Sequence, residues 1–202
     1  YHRLAAAARI VRGDVTDRAG LSAALRDMDA VIHLAAETGT GQSMYAIERY
    51  NAVNIGGTAP LLDLLANTSH GVQRVIVASS RSIYGEGRYR TPGGDYVYPK
   101  PRAPGAMQAG DFAVKHDGIE GALELVATDE DSKIHPSSVY GITKQVQEQL
   151  VMTVCPSIGV EGVALRYQNV YGPGQSLSNP YTGILSIFAN LIMQGKPINI
   201  FE

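Results

Sequence analysis

"RVIVASSRSIYG", residues 74 to 85, decides the fold. Val75, Ile76, Val77 and Ala78 follow one another with no polar residue between them, so both faces of the strand they form must be covered. A strand buried on both faces belongs to a parallel sheet clad in helices. Ser79 and Ser80 close the run and Ser82 follows, which places hydroxyls at a strand's carboxyl edge, where open α/β sheets bind ligands. A serine cluster at such a place also serves ordinary turns.

Outward from this stretch the pattern repeats. "RIVRGDV" (9–15), "DAVIHLAA" (29–36) and "GVALRYQNV" (162–170) have strand length and composition. Helical spacing fills about 20–27, 44–66, 137–154 and 181–194. Strand and helix in alternation predict right-handed crossovers and a doubly wound parallel sheet. Residues 85–136 interrupt the alternation with Gly, Pro and charge, too long for a plain connection, and predict an inserted excursion with a small hairpin around "GDYVYP".

Composition narrows the class. The 202 residues are 45% apolar and 18% charged, enough for the core of one α/β domain. A formal charge of -2 gives no basic surplus for nucleic acid. Cys155 stands alone, so no internal disulfide or cysteine-rich metal site is expected, which suits a cytoplasmic protein. No apolar run reaches the roughly 20 residues that span a bilayer. The chain opens at Tyr1 and stops in "PINIFE", and reads as a piece of a longer protein.

The helix over 137–154 carries the chemistry. Val139, Ile142, Val146, Leu150 and Val154 predict a core-facing stripe, with Tyr140 and Lys144 one turn apart beside it. A phenol of pKa near 10 is a weak base at neutral pH. An ammonium one turn away favours the phenolate and suits Tyr140 as a proton acceptor from an alcohol, with Ser80 binding the same hydroxyl. On their spacing alone, a Tyr and a Lys four apart are equally an ordinary surface pair. His33, inside a strand, reads as a packed core histidine. Arg166 suits either a phosphate or a neighbouring acid.

"GDVTD", "VIHLAAETGTGQS", "NAVNIGGT", "RVIVASSRSIYG", "SVYGITK" and "ALRYQNVYGPGQ", in this order, resemble the extended short-chain dehydrogenase/reductases, in particular the NAD-dependent nucleotide-sugar epimerase/dehydratase family. The resemblance implies a Rossmann-like domain over 1–180, with the 85–136 insertion, and the start of a substrate-binding region at 181–202. It implies NAD as cofactor, a nucleotide-sugar substrate, and a homodimer built on the helices of 44–66 and of Tyr140. Carried over by motif, Ser80, Tyr140 and Lys144 are catalytic. Asp14, Val15, Leu34, Ala35, Ala36, Asn54, Ser79, Lys144, Tyr140 and Tyr167 would hold the cofactor. Thr38, Gln42, Ser80, Ser82 and Asn169 would face the substrate.

Two departures stand out. The family's glycine-rich first turn and its ribose-binding residue would lie before Tyr1, and most of the substrate domain after Glu202, so the fold is expected truncated at both ends and weak for NAD as it stands. Arg81 and Ser82 occupy the places of the dehydratases' Asp-Glu pair. The resemblance therefore implies 4-epimerisation through a transient 4-keto-sugar, on a dTDP-linked 6-deoxyhexose. A 4-keto-sugar reductase or dehydrogenase, and a non-catalytic NAD-binding relative, are the alternatives.

Overall fold

In the computed structural model, residues 8–175 and 183–198 are described. Helix α1 (Arg18–Ala24) leads to strand β1 (Ala30–His33), followed by the single turns α2 (Thr40–Ser43) and α3 (Ile47–Tyr50). A π-helical turn, Asn51–Ile55, runs into α4 (Gly56–Asn67), and β2 (Arg74–Ser80) ends in a 3-10 turn, Arg81–Tyr84. Short strands β3 (Tyr89–Arg90) and β4 (Tyr96–Val97), helix α5 (Pro104–Gln108) and strand β5 (Glu124–Leu125) make up the excursion. The long helix α6 (Val139–Ser157), β6 (Glu161–Tyr167) and α7 (Ile184–Met193) complete the order.

Two compact units result. The first comprises Tyr1–Glu37, Ala46–Ser79 and Thr143–Leu165; the second comprises Thr38–Tyr45, Ser80–Ile142 and Arg166–Glu202. The main sheet has the order β1-β2-β6, with β1 parallel to β2 in the register Ala30 to Arg74 through His33 to Val77. Its core joins Leu61, Leu62 and Leu65 of α4, Val75 and Val77 of β2, and Val151 and Cys155 of α6. Each such side chain, fully buried, contributes about 1.5–3 kcal/mol. In the second unit β3 pairs antiparallel with both β4 and β5, so the expected hairpin is present.

Three expectations change. "RIVRGDV" forms no strand: Ile10 and Val11 are exposed, and among the described residues no strand pairs with them. A strand exists only through a partner's ladder. The helix expected over 44–66 is broken at Tyr45 and Ala46, starts at Ile47 and contains the π turn. Pro60, which lacks the N–H that would bond Gly56, sits within its α-helical part.

The third change concerns the phase of α6. Ile142 of the predicted stripe is 47% exposed, whereas Thr143, Lys144, Gln147, Glu148, Val151 and Cys155 are buried. Leu150 and Val154 touch the core from its side. The face bearing Lys144 is the inward one, because its polar groups find partners there.

Candidate active site

The start of α6 is fixed from outside and within. Ser138 caps it, its hydroxyl accepting the Gly141 N–H at 3.1 Å, and the Ser43 hydroxyl of α2 accepts the Tyr140 N–H at 3.0 Å. Ser43 was not singled out in the sequence; only the need of a helix's first turn for acceptors could have pointed to it. Gly141 is a second residue that sequence reasoning passed over. A Cβ there would lie 2.5 Å from the Ser82 carbonyl oxygen, so the helix approaches the 81–84 turn more closely than a side chain allows.

Within this second unit the expected pair meets. Ser80 ends β2 and caps the 3-10 turn by accepting the Ser82 N–H at 3.1 Å. Its hydroxyl also hydrogen-bonds the Tyr140 phenol. Burial pushes the Tyr140 pKa up and the Ser80 hydrogen bond pulls it down, burial being the larger. The net direction is upward, contrary to the expected lowering. The close of the excursion is pinned to the same turn, with the His135 N–H donating to the Ile83 carbonyl at 2.9 Å. Arg166 Nη1 donates to the Tyr84 hydroxyl and to the Glu130 carbonyl, each at 2.7 Å.

In the first unit Lys144 is 3% exposed, and its ammonium donates to the Ala78 carbonyl of β2 at 2.8 Å and to Gln147 Oε1 at 3.0 Å. Burial lowers its pKa to about 8. His33 is the core histidine expected, Nε2 lying 2.9 Å from Thr58 Oγ1. Desolvation first, and the Lys144 charge second, bring its pKa to about 4. Lys144 titrates while His33 is already neutral, so His33 exerts no return effect.

Asn54 sits in the π turn, a geometry frequent at functional sites. Its amide is engaged within the protein: Oδ1 accepts the Glu37 N–H at 2.7 Å, and Nδ2 donates to the Glu37 carbonyl at 3.2 Å and to Thr143 Oγ1 at 2.9 Å. It ties the segment after β1 to α6. Ser79 is buried, and its hydroxyl has no hydrogen-bond partner among the described residues. Val15 packs on Gly57, where a Cβ would meet Val15 Cγ1 at 2.5 Å. Asp14, exposed, turns its carboxylate to the Thr16 N–H at 2.8 Å, and that bond holds its pKa below the usual range.

The remaining expected residues lie at element ends. Leu34 and Ala35 are exposed beyond β1 and Ala36 is half-buried. Tyr167 ends β6, 40% exposed, with Asn169 exposed just after it. Thr38 and Gln42 are exposed and Ser82 half-buried. All but Asp14, Val15 and Asn54 lie at or after the carboxyl end of a strand or on α6, where a doubly wound sheet gathers its ligand-facing groups.

Comparison with known proteins identifies the family and the fold. Residues 1–107 and 119–202 match the model of the NAD dependent epimerase/dehydratase family. The chain is 38% identical over 197 residues to a dTDP-L-rhamnose 4-epimerase of Burkholderia thailandensis, covering 96% of this chain and 53% of that protein. A UDP-N-acetylglucosamine 4-epimerase from Methanobrevibacter ruminantium, solved with UDP-N-acetylmuramic acid, is 28% identical with a TM-score of 0.68, over 95% of this chain and 49% of the other. A Thermus thermophilus UDP-glucose 4-epimerase, solved with NAD, is 26% identical with a TM-score of 0.63, over 93% and 49%. The chain thus spans about half the length of the relatives it matches. With the family model matched over most of its residues, the chain belongs to the NAD dependent epimerase/dehydratase family.

Proposed function

We propose that the protein is an NAD-dependent nucleotide-sugar 4-epimerase acting on a dTDP-linked 6-deoxyhexose. The observation that carries this reading is the hydrogen bond between Ser80 and the Tyr140 phenol, on a helix that also buries Lys144 one turn on. The likeness to the Burkholderia dTDP-L-rhamnose 4-epimerase supports the nucleotide and sugar class.

The residues present fit NAD. Ser79 is a buried hydroxyl at the end of β2 without a hydrogen-bond partner among the described residues, which a polar ligand would satisfy. Lys144, with Ser79, would hold the cofactor's nicotinamide ribose, and Leu34, Ala35, Ala36, Asp14, Val15 and Tyr167 would flank its length. Bound NAD supplies a reversible hydride acceptor for C4 of the sugar. As its phenolate, Tyr140 takes the proton of the C4 hydroxyl and returns it, and Ser80 orients that hydroxyl. Thr38, Ser82 and Asn169 would face the sugar nucleotide. Asn54 acts through the Glu37 segment that it clamps.

Arg81 and Ser82 favour epimerisation over dehydration, since neither supplies the carboxylates that eliminate water. Residues 1–180 serve as the cofactor domain and 181–202 open the substrate region. A homodimer is supported by the apolar residues left outside, Ile142 and Met152 on α6 and Ile47 on α3. Among the described residues no helix is long and apolar enough to cross a membrane.

The test incubates the whole protein with NAD and dTDP-L-rhamnose, alongside UDP- and GDP-sugars, and follows C4 by NMR. Inversion at C4 with a constant NADH absorbance band supports the epimerase. Stoichiometric consumption of NAD(P)H replaces it with a 4-reductase, and no turnover of any sugar refutes the enzymatic reading.

A further inference from the structure

Beside Lys144, α6 buries a second long polar side chain that the proposed chemistry does not use. Gln147 is fully buried, and its amide can face only one way. Lys144 offers donors alone, so the carbonyl oxygen Oε1 takes the ammonium at 3.0 Å and the amide nitrogen faces Thr58 Oγ1 at 2.8 Å. Thr58 has one proton to give, and gives it to the Asn54 carbonyl at 2.7 Å. The Thr58 oxygen is therefore an acceptor, for Gln147 and, at 2.9 Å, for His33 Nε2. This fixes the His33 proton on Nε2. The 3.3 Å approach of the Gln147 and His33 nitrogens is then two donors converging on one oxygen. One turn earlier, in the π turn that leads into α4, Asn54 Nδ2 donates to Thr143 Oγ1 of α6 at 2.9 Å.

The geometry points to Gln147 as a positioning residue: locked by Thr58 and His33, its carboxamide oxygen pins the Lys144 ammonium against the Ala78 carbonyl and keeps it charged. The inference rests on Lys144 being the cation of the proposed reaction. Removal from water alone drives Lys144 toward losing its proton, so an acceptor fixed at its ammonium works against that drift. His33 on β1 feels the Lys144 charge, and along α6 itself Tyr140 stands one turn before Lys144 and Glu148 one turn after it. From β2 the Ala78 carbonyl accepts from Lys144, and from α4 Thr58 holds the Gln147 amide that faces it. His33 is neutral throughout the range in which Lys144 titrates, so it reports the lock without disturbing the charge.

The test measures two quantities in the whole protein: the titration of Lys144, followed by the Cε resonance of labelled lysine, and the alkaline limb of kcat. Gln147→Leu is expected to lower the first by about one pH unit or more, the order of a hydrogen bond to a charged group, and to move the second to lower pH by the same amount. Gln147→Glu, of the same shape, is expected to move both upward. Thr58→Val, which keeps Gln147 but unlocks it, gives a smaller shift in the direction of Gln147→Leu and releases His33 from its Nε2–H form, read from the ring nitrogen shifts. A folded Gln147→Leu or Gln147→Glu with an unmoved Lys144 titration overturns the proposal, as does a wild-type His33 ring protonated on Nδ1. Loss of melting temperature with both titrations unchanged would assign Gln147 a packing role and overturn it too. A Tyr140→Phe control separates the two readings: full turnover there removes the enzymatic reading, while the Lys144 resonance still decides the positioning.

Discussion

Replacing Lys144 by methionine should change how stability depends on pH, and the direction follows from burial. In the unfolded chain the lysine keeps its proton up to about 10.5, whereas in the fold it keeps it only up to about 8. Between these values the unfolded state holds more protons, so stability rises with pH across that window. At pH 7 the charged, buried ammonium is a cost to the fold, and by pH 10 most of that cost is relieved. A displacement from 10.5 to about 8 amounts to about 2–3 kcal/mol over this interval. Met has a similar reach and no proton, so Lys144→Met removes this term and keeps the volume. Urea denaturation of both proteins at pH 7 and pH 10 gives four free energies. Subtracting the variant's change from the wild type's cancels the other lysines and tyrosines, which titrate in both. The wild type is expected to gain about 2–3 kcal/mol relative to Lys144→Met on going from pH 7 to pH 10. Parallel curves would refute the burial argument, because they would mean that Lys144 titrates in the fold as it does in water.

His33 gives the acid counterpart. Its ring resists protonation down to about 4 where the unfolded histidine accepts a proton near 6.5, so stability falls as pH drops through that window, by about 2 kcal/mol at pH 5, and His33→Gln should flatten that limb of an acid denaturation series. Tyr140→Phe should lower kcat by about 10²–10⁴-fold in the NMR epimerisation assay. Ser80→Ala removes the hydrogen bond that lowers the Tyr140 pKa, so the acid limb of its rate profile should move to higher pH; an unmoved limb would sever Ser80 from the phenol. Gly141→Ala sets a Cβ 2.5 Å from the Ser82 carbonyl oxygen, so despite alanine's better helix propensity it should cost about 1–3 kcal/mol in urea and depress kcat. Gly56→Ala, whose Cβ meets nothing nearer than 3.7 Å, should be neutral or stabilising by up to about 1 kcal/mol in the same titration.

How much of this was legible in the sequence depends on whether a residue's fate is set locally or by a distant partner. β2 was readable in its bounds, because Val75 to Ala78 are apolar throughout; Val75 and Val77 are buried and Ile76 and Ala78 half-buried. The convergence of Ser80 and Tyr140 was readable because ordered motifs tie a strand's end to a helix's start. "RIVRGDV" was not, since a strand is a property of two segments and its own residues cannot reveal that no described strand lies beside it. The phase of α6 failed for the same reason at the level of side chains. Periodicity counts apolar residues, and by that count Val139, Ile142 and Val146 point inward. The helix instead buries Thr143, Lys144 and Gln147, whose partners Asn54, Ala78 and Thr58 lie 89, 66 and 89 residues away in the chain. A buried amide or ammonium is tolerable only where such partners exist, and their absence would cost about 1–3 kcal/mol per group or more. Phasing α6 by Tyr140 and Lys144, the pair singled out for chemistry, gives the observed inward line through Gln147, Val151 and Cys155, whereas phasing by hydrophobicity does not. Exposing Ile142 while burying a lysine gives up stability to hold a charge inside the fold, as the role proposed for Lys144 requires.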